Sequence, residues 1–125
     1  MTTSTRDNDA AQALLEAYRT RRTVAQLTEN TPDLDVEGAY GIQLAQVQAW
    51  KVEGRAVKGH KVGLTSRAMQ VQLGVDQPDF GHLMDNMFFA DTDPITAGRF
   101  ISPKVEPEFA FVLGKSLTGP GVTAA

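Results

Sequence analysis

Two glutamates separated by a single residue, Glu106 and Glu108 in KVEPEFAFVLG, are the side chains whose type and spacing point most directly to chemistry. Val105, Pro107, Phe109, Phe111 and Leu113 alternate with Lys104, Glu106, Glu108, Ala110 and Val112, which is the period of a β-strand. On a strand, residues i and i+2 share a face with α-carbons roughly 6 to 7 Å apart, so both carboxylates can converge on one cation. Magnesium and manganese prefer oxygen ligands in octahedral geometry and often take one or two carboxylates, leaving the other positions to water and substrate. The same face turns apolar at Ala110 and Val112, and carboxylates drawn toward such surroundings need a positive partner. The competing reading is a solvated strand face with Lys104 as a neighbour. Pro107 lacks an N–H and places this point at an edge or a bulge.

Lys61 lies in GHKVGLTS, with Gly59 and Gly63 two residues to either side, so the strand face it shares with them is stripped of side chains. An ammonium there can hold a substrate carboxylate as a point charge, and burial would lower its pKa toward acid/base use. The alternative is an exposed lysine on a strand whose glycines serve tight packing. No G-K-[ST] follows these glycines, so they do not form a phosphate loop. Asp79 in VDQPDFGHL is fixed behind Pro78 and before Gly81, which holds a carboxylate on a rigid turn; an ordinary turn-capping role competes. Its Asp-Phe-Gly tripeptide has no glycine-rich nucleotide loop to accompany it, so a kinase reading fails. His60 is expected to face opposite Lys61, and neither it nor His82 has a histidine at ligand spacing, which favours structural roles.

These groups need elements to carry them. Asn8 or Asp9 can cap a first helix, with Gln12 at capping-box spacing, and Ala11, Leu14, Leu15 and Tyr18 recur at helical intervals. ENTPDLD breaks it, and Asp35 caps a second helix with a stripe of Val36, Tyr40, Leu44, Val47 and Trp50, ending before Gly54. RAVKGHKVGLTS reads as a strand, Ser66 to Leu73 as a short helix closed by Gly74, GVDQPDFGH as a loop, and Phe88 and Phe89 as a short strand. Residues 1–7 are expected to form a flexible arm, 8–54 a helical region, and 55–125 the first part of a β-rich catalytic region. Thr123 resembles a helix cap with almost no helix behind it, from which a truncated chain is expected.

Composition excludes several classes. The 125 residues carry a formal net charge of -3 with no basic block, which argues against nucleic acid. There is no cysteine, hence no disulfide, thiolate nucleophile or Cys-type zinc site. No run approaches the roughly 20 apolar residues of a membrane helix, and the polar start MTTSTRDNDA lacks a secretory signal. A soluble, cytoplasmic protein with no membrane association is expected.

KVGLTS at 61–66, QLGVDQPDFGHL at 72–83 and KVEPEFAFVLG at 104–114, in this order, together resemble the 2-hydroxypentadienoate (2-keto-4-pentenoate) hydratase family of the fumarylacetoacetate hydrolase-like superfamily. The resemblance covers nearly the whole chain after the N-terminal arm, and members of the family are substantially longer. It implies an α/β (α+β) fold, with N-terminal helices packed on a mixed, partly rolled β-sheet that is incomplete here. It implies Glu106 and Glu108 as ligands of Mg2+ or Mn2+, a third acidic ligand outside this chain, Lys61 in the active site and Asp79 as an acid/base candidate. The implied activity is hydration of 2-hydroxy-2,4-dienoates to 4-hydroxy-2-oxo acids in aromatic or steroid catabolism, by a homo-oligomer that associates with the aldolase acting next. The alternatives are a 4-oxalocrotonate-type decarboxylase and a non-catalytic folding or subunit-interaction module.

Overall fold

The computed structural model describes residues 5–123. Helix α1 (Thr5–Thr20) is followed by a one-turn helix α2 (Leu27–Asn30) and helix α3 (Val36–Val52). Strand β1 (Val57–Gly63), helix α4 (Arg67–Leu73) and strand β2 (Asp79–Met84) come next, and two 3-10 turns at Asp85–Met87 and Ala97–Arg99 complete the regular structure. Helix α1 starts three residues inside the stretch expected to be a flexible arm, so Asn8 and Asp9 sit within the helix rather than capping it. The residues that Thr123 would cap, 124–125, lie outside the described ones, as do 1–4.

Helix α3 starts where its cap dictates: the Asp35 carboxylate accepts from the Gly38 N–H at 2.8 Å, a contact worth roughly 1 kcal/mol to a helix. Its buried face is Ile42, Gln46 and Val47, whereas Val36 and Leu44 of the expected stripe are 56% and 53% exposed. Helix α1 packs on it through buried Ala11 and Ala17, and the Tyr18 ring meets Trp50 edge-on at 5.2 Å. Small residues on α1 allow that close approach.

The sheet among the described residues is two antiparallel strands, β1 and β2. Their register pairs His60 with His82, Lys61 with Gly81 and Gly63 with Asp79, with an irregularity between Val57 and Gly59. The segment expected to be a Pro/Gly/Asp loop is therefore in its second half a strand. The ladder with β1 satisfies its backbone, and that long-range pairing outweighs the local turn composition. Met84, 1% exposed, seals the strand's end; burying such a side chain contributes about 1.5–3 kcal/mol.

Helix α3 clips onto β2. Tyr40 Oη accepts from the Phe80 N–H at 3.1 Å, and Gln43 Nε2 donates to the Phe80 carbonyl at 3.1 Å. Both backbone groups of Phe80 are thereby used on the helix side, so β2 is fixed in height and rotation relative to α3.

Two expected strands do not form. Phe88 and Phe89 follow the first 3-10 turn in irregular chain. Residues 103–113 run without helix or ladder, and Val105, Phe109 and Phe111 are 96%, 95% and 84% exposed. Alternation specifies two faces, but a strand also needs a neighbour for its N–H and C=O groups, and among the described residues none lies alongside.

Candidate functional site

Strand β1 carries Lys61 outward on the glycine face, while His60 points the other way, toward α3. On that inner side the His60 and His82 rings meet with centroids 5.0 Å apart, and His82 Nδ1 lies 2.8 Å from Gln43 Oε1. Because Gln43 spends its amide N–H on Phe80, its oxygen faces the imidazole, and Nδ1 carries the proton. His82 thus ties the sheet to the helix, with the His60 ring packed against it.

Burial first, then the charges of His60 and Lys51, holds His82 below the usual histidine range. The unfolded chain binds this proton more readily than the folded one, so the neutral imidazole's contribution is complete above about pH 6.5 and declines as pH falls below it. In urea unfolding between pH 7.5 and 5.5, the stability slope is expected to exceed that of His82→Gln by less than one proton per molecule. Equal slopes in the two proteins contradict this assignment.

Forty-five and forty-seven residues downstream of Lys61, the two glutamates return to it. Lys61 Nζ lies 2.8 Å from Glu108 Oε1 and 3.3 Å from Glu106 Oε2. Both carboxylates therefore converge on one positive centre, the Lys61 ammonium, and the segment that bears them is extended chain rather than a strand. The hydrogen bond that Lys61 donates to Glu108 is the main influence raising the Lys61 pKa; burial opposes it, and Glu106 adds to it. The expectation that burial would lower this pKa toward acid/base use is corrected: paired with two carboxylates, Lys61 is a fixed cation.

Asp79 reaches the same face through strand register. It pairs with Gly63, two residues along from Lys61, and a Cβ built on Gly63 would lie 3.8 Å from the Asp79 Cβ. No hydrogen bond or ion pair among the described residues joins Asp79 to the other three. It borders a shallow recess of about 340 Å³ with Tyr40, Gln43 and Phe80. A larger cavity of about 1050 Å³, walled by α1, α3 and residues 86–100, contains none of the four candidate residues. Tyr40 and Gln43, which set the height of β2 and hence of Asp79, were missed in the sequence because each looks like an ordinary helix-face residue.

Two carboxylates converging within 3.3 Å of one cationic group are a donor set that suits a hard divalent ion. Among the described residues no group of three or more His, Cys, Asp or Glu side chains stands together in metal-holding geometry. No helix among the described residues is long and apolar enough to cross a membrane.

A small α/β unit with a Lys–Glu–Glu cluster on a glycine-lined sheet face is the class that fold and site define. No family model matches the chain. It is 44% identical over 113 residues to 2-oxo-hept-4-ene-1,7-dioate hydratase of Escherichia coli, covering 90% of this chain and 42% of that protein. It is 48% identical over 111 residues to 2-keto-4-pentenoate hydratase 1 of Dechloromonas aromatica, covering 88% and 42%. In three dimensions it is similar, at a TM-score of 0.65 and 27% identity over 69% of this chain and 33% of the other, to 4-oxalocrotonate decarboxylase of Pseudomonas putida G7, solved with calcium and acetate. A second structure of that decarboxylase, with magnesium and adipate, matches equally well. Over the matched residues this chain is similar to the 2-keto-4-pentenoate hydratases and shares the fold of the corresponding part of that decarboxylase. It spans about 42% of the length of these two hydratases.

Proposed function

We propose that the protein is a metal-dependent hydro-lyase that adds water to 2-hydroxypenta-2,4-dienoate-type acids, giving 4-hydroxy-2-oxo acids in the catabolism of aromatic or steroid rings. The observation that carries this reading is the meeting of Lys61 with Glu106 and Glu108, which sequence places far apart and the fold brings within 3.3 Å. Names of relatives at 44–48% identity supply the reaction class.

Glu106 and Glu108 would hold a divalent ion, Mg2+ or Mn2+, with a third acidic ligand from outside this chain. When bound, such an ion supplies Lewis acidity to a 2-oxo oxygen. The chain's own residues have distinct tasks. Lys61 offers a fixed positive charge on an open face, suited to an anionic substrate carboxylate. Hydration turns a 2-hydroxydiene into a keto alcohol: the 2-hydroxyl gives up a proton, water divides into the hydroxyl added at C4 and a second proton, and C5 and C3 each gain one of the two. Asp79, on the Lys61 face and rigidly placed behind Pro78, is the group assigned to move one of these protons or to orient the water. A cytoplasmic homo-oligomer working beside the aldolase that cleaves the product completes the proposal.

The rival within the same fold is decarboxylation of 4-oxalocrotonate-like acids, favoured by the structural neighbour. Hydratase names at 44–48% identity outweigh a decarboxylase at 27%. A folding or subunit-interaction module is favoured only by the absence of a third carboxylate among the described residues. The purified protein with Mn2+ is expected to bleach the conjugated absorbance of 2-hydroxypentadienoate without releasing carbon dioxide. Carbon dioxide release from 4-oxalocrotonate without hydration would establish the rival, and inactivity toward both acids would favour the module.

A further inference from the structure

We propose that Lys61 is the resident counter-cation of the Glu106–Glu108 pair, and that a divalent ion binds there by displacing its ammonium. This deepens the metal-site reading and rests on it. The ammonium is shared between the two carboxylates, at 2.8 Å from Glu108 Oε1 and 3.3 Å from Glu106 Oε2. Those oxygens are the hard donors the pair offers. An ion such as Mn2+ or Mg2+ bound to the same oxygens, at roughly 2.0–2.1 Å for the latter, would lie against the ammonium, and like charges so close repel strongly. Lysine and metal therefore exclude one another.

The fold gives the displaced side chain somewhere to go. Lysine is a flexible four-carbon stem ending in a point charge, and this one is 46% exposed, so it is not enclosed. The face it stands on is covered at Gly59, where a Cβ would meet the Phe88 ring at 3.3 Å and Leu83 at 3.8 Å, but it is open on the other side of Lys61: a Cβ on Gly63 would meet only the Asp79 Cβ, and one on Gly81 only the backbone of Lys61 itself. Release therefore carries the ammonium over open sheet on which Asp79 also stands. The consequence is an order of binding: while the carboxylates hold Lys61, an anionic substrate finds no free ammonium, and the exchange for metal liberates one. The site is only partly neutralised when empty of metal, one ammonium against two carboxylates, and becomes receptive to an acid only after loading.

The test uses the purified protein and Mn2+ alone. Lysines are acylated competitively with and without saturating Mn2+, and modification is quantified by peptide mass spectrometry. Lys61 labelling is expected to rise several-fold with Mn2+ while Lys58, Lys104 and Lys115 are unchanged. In Glu106→Gln/Glu108→Gln, Lys61 should label fast from the outset and ignore Mn2+. By calorimetry, Lys61→Met is expected to bind Mn2+ several-fold tighter than the parent, and Lys104→Met, with the same loss of charge two residues from Glu106, to change much less. Mn2+ binding with unaltered Lys61 labelling, or equal affinities in parent and Lys61→Met, overturns the exchange but leaves the metal site standing. Absence of Mn2+ binding in the parent and in both lysine variants overturns the metal site and the exchange together.

Discussion

Replacing Glu106 and Glu108 together with glutamine is expected to lower turnover in the proposed hydration by on the order of 10²–10³-fold, the scale on which a group that stabilises developing charge acts. Glutamine keeps the size and removes the charge, so whatever is lost is the capacity to hold a cation. The two side chains are 64% and 55% exposed and belong to no core, so the melting temperature should stay within roughly two degrees of the parent. Loss of activity with retention of fold separates chemistry from structure. Each single substitution leaves one carboxylate, and because the two share one partner their effects should not add. Activity that survives both changes, with the same dependence on added metal, removes the carboxylates from the chemistry. Metal titrations of parent and variant, read alongside steady-state rates, decide the matter.

The pair was visible in the sequence because its logic is local. An alternating E-x-E requires only that the chain be extended, and the extended chain from 103 to 113 meets that requirement without a ladder. What the sequence does not contain is the partner. That the glutamates find Lys61 rather than Lys104 depends on how the chain returns from β2, a contact across 47 residues that no spacing encodes. The same distinction explains the strand that did not form. Period two reports which residues share a face, but hydrogen-bonding neighbours decide whether a ladder exists, and Val105, Phe109 and Phe111 have none.

The helices show a related division between local and distant causes. Asp35 caps α3 and Gly74 closes α4 at a φ of 71°, and both were legible because a cap is a contact within a few residues. The buried face of α3 was less so. Hydropathy favours Val36 and Leu44, yet the helix turns Ile42, Gln46 and Val47 inward. Gln46 is tolerated there with its amide directed at the Ile42 carbonyl at 3.4 Å. On the same helix, Tyr40 and Gln43 are spent on Phe80 and His82. An amphipathic pattern undervalues such residues because their worth lies in the particular backbone groups they meet on another element. That clip bears on the proposed site, since it fixes β2 and with it the place of Asp79.

Asp79→Asn provides the second large effect and divides the labour of the open face. If Asp79 moves a proton or orients water, it acts mainly as bonds change, and its loss should fall on kcat rather than on KM. The expected drop is roughly 10²–10³-fold, within the range of positioned acid–base groups. Lys61→Met should behave differently. An ammonium holding a carboxylate serves substrate and transition state alike, so a large part of its loss should appear as a raised KM. The comparison is fair structurally, because β1 and β2 are joined by backbone bonds at Lys61–Gly81 and Gly63–Asp79, which neither substitution touches. Asparagine also preserves the shape of the turn behind Pro78. A variant that retains kcat within about threefold, or that loses activity only through KM, would return Asp79 to the role of a turn residue. The proton would then have to be carried by a group outside the β1–β2 face, since His60 and His82 lie on the opposite side and His82 is bound to Gln43.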